Sequence, residues 1–170
     1  MRSAARLIAG QPIAAWPRDC KTRDGVAYHI RPTQPDDMLR DQRFILKLPH
    51  QPSADLLNKL VRADYQREMA LVAVAIEDRA ESIVAVAQYG GNPAYCEFSI
   101  RVADDWRARG IGTEISHALF QHAKAHGVRR LYAIVPAGNR ALAKLVDALQ
   151  MSVRKSSDGN TAAVEAWRTL

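Results

Sequence analysis

Apolar residues recur along this chain with two different periods, and the switches between them mark the elements. After an Asp24-Gly25 turn, Val26–Arg31 is short and strand-prone, and it ends in the proline-marked loop PTQPDD. A helix is expected from Pro35, with Asp36 and Asp37 in its first turn, where carboxylates suit the helix dipole. A second helix is expected after Ser53, a capping residue, because Leu56, Leu57, Leu60 and Val61 share one helical face. Then the period changes. MALVAVAIE (69–77) and SIVAVAQYG (82–90) are short apolar runs separated by the polar turn EDRAE, and they read as adjacent antiparallel strands buried on both faces. AYCEFSIRVA (94–103) alternates, with Phe98, Ile100 and Val102 on one face and Glu97, Ser99 and Arg101 on the other.

A glycine-arginine turn follows, and the period returns to that of a helix. Ile111, Ile115 and Leu119 recur every four residues, and Gly127 offers a left-handed C-terminal cap. RRLYAIVP reads as another strand. Asn139 caps a helix with Leu142, Leu145, Val146 and Leu149 on one face. MSVRKSSDGNTAAVEAWRTL closes the chain as a hairpin around Asp158-Gly159-Asn160. The strand–helix–strand unit at 97–136 requires a parallel strand pair with a right-handed crossover. The remaining strands are expected to be antiparallel, which makes a mixed sheet with flanking helices in an α/β (α+β) domain.

Composition narrows the function classes. The chain has 170 residues, of which 48% are hydrophobic and 25% charged, as in ordinary globular domains. No apolar run approaches the ~20 residues of a membrane-spanning helix. Residues 1–25 read as a leader or linker stub, because Gln11 and Pro12 interrupt any signal-like apolar region; the domain is expected over 26–170. Two cysteines, Cys20 and Cys96, make no disulfide framework and no zinc spacing, so a reducing, cytoplasmic setting is the default. His122 and His126 stand four apart but lack a third ligand, so no metal is expected; His29 and His50 have no partners by spacing. The net charge is +6, and the window 101–140, with seven bases and three acids, carries four of those charges. An anionic partner fits there, as does a merely solvated surface. No aromatic-interleaved basic stripe or helix-turn-helix pattern points to nucleic acid.

R-A-R-G-I-G-T, residues 107–113, lies between a strand and a helix. Glycines let backbone N–H groups approach a ligand, and the helix N-terminus behind them adds unpaired donors and a positive dipole end. Such a turn suits phosphate, with Arg107 and Arg109 as charge-assisted donors. A turn that only joins strand to helix is the plainer alternative. The Gly-Lys-Ser/Thr ending of a P-loop is missing, and so is the third glycine of the dinucleotide fingerprint.

RARGIG fits the Q/R-x-x-G-x-G/A motif, and with the element order from about residue 26 onward the chain resembles the GNAT superfamily of acyl-CoA-dependent N-acyltransferases. TRDGVAYHIRPTQPDD, DYQREMALVAVA, CEFSIRVADDWRARGIG and NRALAKLVDALQMSV resemble the branch of Pat-type protein lysine acetyltransferases, whose targets include acyl-CoA synthetases. The resemblance implies a GNAT-like sheet in which the parallel pair splays apart, with the donor acetyl-CoA threaded through the gap. The amides of Ala108, Arg109, Gly110, Ile111, Gly112 and Thr113 would cradle the diphosphate, with Arg107 at the Q/R position. Ile100 and Val102 would pair through their backbone with the pantetheine arm, and Asn139 would touch the cofactor, unless it is a plain helix cap. Glu97, ten residues before Arg107, would be the base that takes a proton from the acceptor amine, directly or through a water. A free lysine amine has a pKa of ~10.4, so some group must take that proton. A backbone N–H near residues 100–102 would stabilise the oxyanion. A solvated glutamate paired with a nearby arginine is the alternative reading of Glu97.

Two departures stand out. Val146 takes the place of the general-acid tyrosine that many members carry, and Gln150-Met151 replaces a common Gly-Phe. A thiol of pKa ~8.5 leaves without an acid's help. The acceptor stays open between a protein lysine and a small-molecule amine, and a non-catalytic acyl-CoA-binding module is the reading without chemistry. The oligomeric state is open.

Overall fold

The computed structural model describes residues 16–37, 68–77, 79–155 and 163–170. Among them run strands β1 (Arg18–Lys21), β2 (Ala27–Pro32), β3 (Met69–Glu77), β4 (Ala80–Asn92) and β5 (Tyr95–Val102). A 3-10 turn at Asp104–Trp106 leads to helix α1 (Ile111–Ala125), β6 (Arg130–Pro136), α2 (Arg140–Ala148), β7 (Ser152–Lys155) and β8 (Ala163–Thr169). The two helices expected between residues 35 and 64 fall largely at 38–67, outside the described residues, as does the Asp158-Gly159-Asn160 turn.

The strands form one eight-stranded sheet in the order β1-β2-β3-β4-β5-β6-β8-β7. Every pair is antiparallel except β5–β6. The mixed sheet expected from the strand–helix–strand unit is therefore present. β3 and β4 are interior strands, and Leu71, Val72, Val74 and Val84 are fully buried, which is why both strands read as unbroken apolar runs. A bulge between Ala73 and Val74 shifts the register by one residue on β4. The polar turn between them is shorter than EDRAE suggests, since pairing runs out to Glu77↔Ala80.

The sheet begins before the expected domain boundary. Arg18–Lys21 pairs with Ala27–Ile30, so the boundary at residue 25 falls inside a hairpin. RDCK has no apolar pattern of its own, and its strand geometry comes from pairing with β2. Asp37, expected in the first turn of a helix whose remainder lies outside the described residues, is buried, with both carboxylate oxygens 2.7 Å from the Arg31 guanidinium and a bond from the Gln34 N–H.

Helix α1 crosses from β5 to β6 and buries Ile111, Ile115 and Leu119, the residues its period singled out. Phe98 of β5 meets Phe120 of α1 edge to face, so the even-numbered side chains of β5 face the helix and Glu97 lies on the opposite face. Both helices end in the same motif. After α1, the Val128 N–H donates to Ala123 O and the Gly127 N–H to Lys124 O, with Gly127 at φ +77°. After α2, the Met151 N–H donates to Val146 O and the Gln150 N–H to Asp147 O, with Gln150 at φ +53°. The chain thus makes a left-handed cap without glycine, and Met151 is buried beneath it. The glutamine weakens the sequence signal for this boundary but not the turn itself.

On α1, His122 is buried and its Nδ1 lies 3.1 Å from the Tyr89 hydroxyl. Burial, then the neighbouring His126 ring, pulls its pKa down to about 4.

Two predictions follow from these elements. Gln150→Gly removes the left-handed strain and should stabilise the fold by about 1 kcal/mol, read as a Tm rise of about 2–4 °C; an unchanged or lower Tm contradicts the cap assignment. The unfolded chain binds a proton at His122 near pH 6.5 that the folded chain refuses until about pH 4. Stability should therefore be unaffected by this group above about pH 6.5 and fall as pH drops through the window below it. In a His122→Gln variant, thermal melts between pH 7 and pH 4.5 should show a flatter decline than the parent.

Candidate active site

The parallel ladder between β5 and β6 has two residue pairs, Cys96↔Leu131 and Glu97↔Tyr132, and then stops. β5 continues to Val102 on β4, and β6 continues to Pro136 on β8. The inner edges of the two strands therefore part beyond Glu97, as the resemblance implied.

The backbone of β5 shows what faces that gap. The Ala103 N–H donates to Val84 O on the β4 side, 2.9 Å away. The carbonyl of the same peptide, Val102 O, points the other way and accepts from Arg107 Nε at 3.3 Å. Alternation along a strand then turns the N–H and C=O groups of Ile100 and Val102 toward the gap. These two residues stand where an extended amide-bearing arm would add its own hydrogen bonds.

The glycine-arginine turn closes one end of the gap. Ala108 has φ +60° and Gly110 φ +94°, and Gly110 is the N-cap of α1. The first helical amide bonded back is that of Glu114, to Gly110 O. The amides of Ala108, Arg109, Gly110, Ile111, Gly112 and Thr113 have no acceptor among the described residues. Six successive amides without an acceptor among the described residues, at the positive end of a 15-residue helix, are donors suited to an anion. Gly112 packs over the end of β5: a Cβ there would lie 3.6 Å from Val102 Cγ2, 3.7 Å from Ile100 Cδ1 and 3.8 Å from Leu145 Cδ1 of α2. Turn, gap and second helix thus converge. The residues present fit a phosphate-bearing group with an extended arm.

Both arginines of the turn are engaged with the protein itself. Arg107 pairs with Asp104 at 2.8 Å, and Arg109 pairs with Asp24 at 3.4 Å while lying over the Trp106 ring. Trp106 is buried and donates from Nε1 to Glu77, which anchors the turn to β3. Asp24, whose carboxyl is lowered chiefly by the Thr22 hydroxyl, was not a sequence candidate; its only signal was its place in an Asp-Gly turn.

Glu97 sits at the last paired position, exposed, with no ion pair or hydrogen bond among the described residues. The arginine partner of the alternative reading is not there. It lies about 17 Å along the strand from Val102. Tyr132 is opposite it, and the Tyr132 hydroxyl is raised by burial and then by the Glu97 charge. Asn139 caps α2, its Oδ1 accepting from the Leu142 N–H at 3.1 Å. Val146 is buried, so an apolar residue occupies the expected general-acid position. Among the described residues no group of three metal-ligating side chains occurs.

The chain is similar to known proteins in sequence and in fold. The chain matches the Acetyltransferase (GNAT) family over residues 36–149. It is 29% identical over 155 residues to acetyltransferase PA5475 of Pseudomonas aeruginosa, covering 83% of each chain. It is 31% identical over 160 residues to acetyltransferase Pat of Mycolicibacterium smegmatis, covering 84% of this chain and 47% of that protein. Its fold is that of the GNAT domain of S. lividans PAT, with a TM-score of 0.76 at 20% identity over 91% of this chain and 97% of that one.

Gly110→Ala tests the cradle. A methyl group has room, the nearest atoms being 3.6 Å away on Arg23, so the φ of +94° alone penalises it. The variant should fold, lose about 1–2 kcal/mol of stability and bind acetyl-CoA about tenfold more weakly by calorimetry; parental affinity would remove this turn from the site.

Proposed function

Because this chain belongs to the GNAT acetyltransferase family, whose members take their acyl group from acetyl-CoA, we propose that it acetylates a primary amine, a protein lysine, with Glu97 as the base. The observation that carries this reading is the position of Glu97: an exposed carboxylate where β5 and β6 part, on the strand that runs into the anion cradle.

The amides of Ala108–Thr113, with Arg107 beside them, would hold the diphosphate of acetyl-CoA. The backbone of Ile100 and Val102 would hold its arm. The donor supplies an acyl thioester, an acceptor for an uncharged amine. Glu97 takes the proton that the attacking nitrogen must lose, directly or through one water. The N–H groups at Ile100 and Val102 are donors for charge developing on the acyl oxygen. With Val146 apolar, no acid serves the sulfur from that position, and a thiol of pKa ~8.5 leaves as the thiolate. Asn139 keeps its cap, with its amide nitrogen left for the donor.

A lysine acceptor is supported by the resemblance of the chain's motifs to the Pat-type branch and by the openness of Glu97, which suits a side chain presented on a folded partner. An acyl-CoA synthetase is the partner to test first.

Glu97→Gln keeps shape and loses the base. Acetyl-CoA should bind it as tightly as the parent, while CoA release with the responding acceptor falls at least a hundredfold. A panel of lysine-bearing proteins, an acyl-CoA synthetase among them, and small amines identifies the acceptor class. Equal turnover in both proteins removes Glu97 from the mechanism, and a response only to small amines removes the lysine.

A further inference from the structure

We propose that the β1–β2 turn completes the acetyl-CoA site, with the Arg23 guanidinium as a direct ligand of a CoA phosphate. The inference rests on the assignment of the Ala108–Thr113 amides to that cofactor. It concerns a residue that precedes the segment matched to the family, 36–149.

The turn between β1 and β2 is docked on the glycine-arginine turn. The Arg23 N–H donates to Arg109 O at 3.1 Å, and Asp24 pairs with the Arg109 side chain at 3.4 Å. The Arg23 side chain lies along Gly110: its Cγ and Nε are each 3.6 Å from where a Cβ would stand on that glycine. Gly110 is the N-cap of α1, so the guanidinium borders the free amides.

The state of the three arginines separates their roles. Arg107 is paired with Asp104 and bonded to Val102 O. Arg109 is paired with Asp24 and stacked on Trp106. These two carry charge already matched by carboxylates and hold the turn in shape. Arg23 makes no side-chain ion pair or hydrogen bond among the described residues, and it is exposed. An unmatched planar fork beside free backbone donors is the geometry that takes a phosphate, two N–H groups to two oxygens. Asp24 serves it indirectly by fixing Arg109, and with it the carbonyl that holds the Arg23 backbone.

The test uses calorimetry on the full chain with acetyl-CoA and with its 3′-dephospho form, for the parent, Arg23→Ala, Arg23→Lys and the control Lys21→Ala. Lys21 is an exposed cation on the neighbouring strand and has no place in the site. Arg23→Ala should bind acetyl-CoA about tenfold more weakly, Arg23→Lys should fall between it and the parent, and Lys21→Ala should match the parent within about twofold. KM for acetyl-CoA should rise with kcat nearly unchanged. A tenfold loss that persists with the dephospho form assigns the diphosphate; a loss that vanishes with it assigns the 3′-phosphate; either supports the contact. Parental affinity in Arg23→Ala, or an equal loss in Lys21→Ala, overturns it. Failure of the parent itself to bind overturns the cofactor assignment beneath it, an outcome distinct from the other two.

Discussion

The ladder between β5 and β6 ends after two residue pairs, and the site is arranged around that ending. Inside a sheet, nearly every backbone N–H and C=O is paired. Here β5 is held on its outer edge by eight residue pairs with β4, and β6 by seven with β8. Neither strand can swing inward without breaking those ladders. Gly112 and Leu145 fill the helix side of the opening against Ile100 and Val102. The polar edges left facing the gap need water or a ligand with peptide-like groups. The acyl carrier of this family is such a ligand, and under the proposed function this one interruption in pairing would set its path toward Glu97.

The turn at the end of that path is held by contacts remote in sequence. Trp106 reaches Glu77 of β3, Arg109 reaches Asp24, and the Arg23 backbone reaches Arg109. Each ties down the turn whose backbone becomes left-handed at Ala108 and Gly110. Preorganised donors bind an anion without the entropic cost of assembling them. The pairing of Arg107 and Arg109 with Asp104 and Asp24 qualifies the simple picture of a basic turn. In the proposed site the backbone and helix would carry the binding of an anion, while Arg107 and Arg109 brace the turn.

How far the sequence could be read depended on the range of the interaction. The runs at 69–77 and 82–90 are apolar on both faces, which is the mark of interior strands, and both are interior. The fourfold spacing of Ile111, Ile115 and Leu119, and the caps Asn139 and Gly127, are local signals, and each holds in the structure. β1 had no such signal, because RDCK is a strand only by virtue of its neighbour. Gln150 hid the end of α2, since the chain accepts a left-handed glutamine there where glycine is usual. The burial of Asp37 against Arg31 was not legible, because Arg31 lies on another element.

By itself, then, the order of residues determined the periodic elements among the described residues, the caps at Asn139 and Gly127, the mixed sheet and the glycine turn that marks the family. All of these depend on interactions within a few residues, or on a period that burial imposes. Tertiary structure alone decided where β5 and β6 stop pairing, which arginines are already matched by carboxylates, and that the Arg23–Asp24 turn stands against the glycine-arginine turn. Those outcomes depend on which distant groups meet in space: a guanidinium has the same letter whether its charge is matched or free, and only the packed fold distinguishes Arg109 from Arg23.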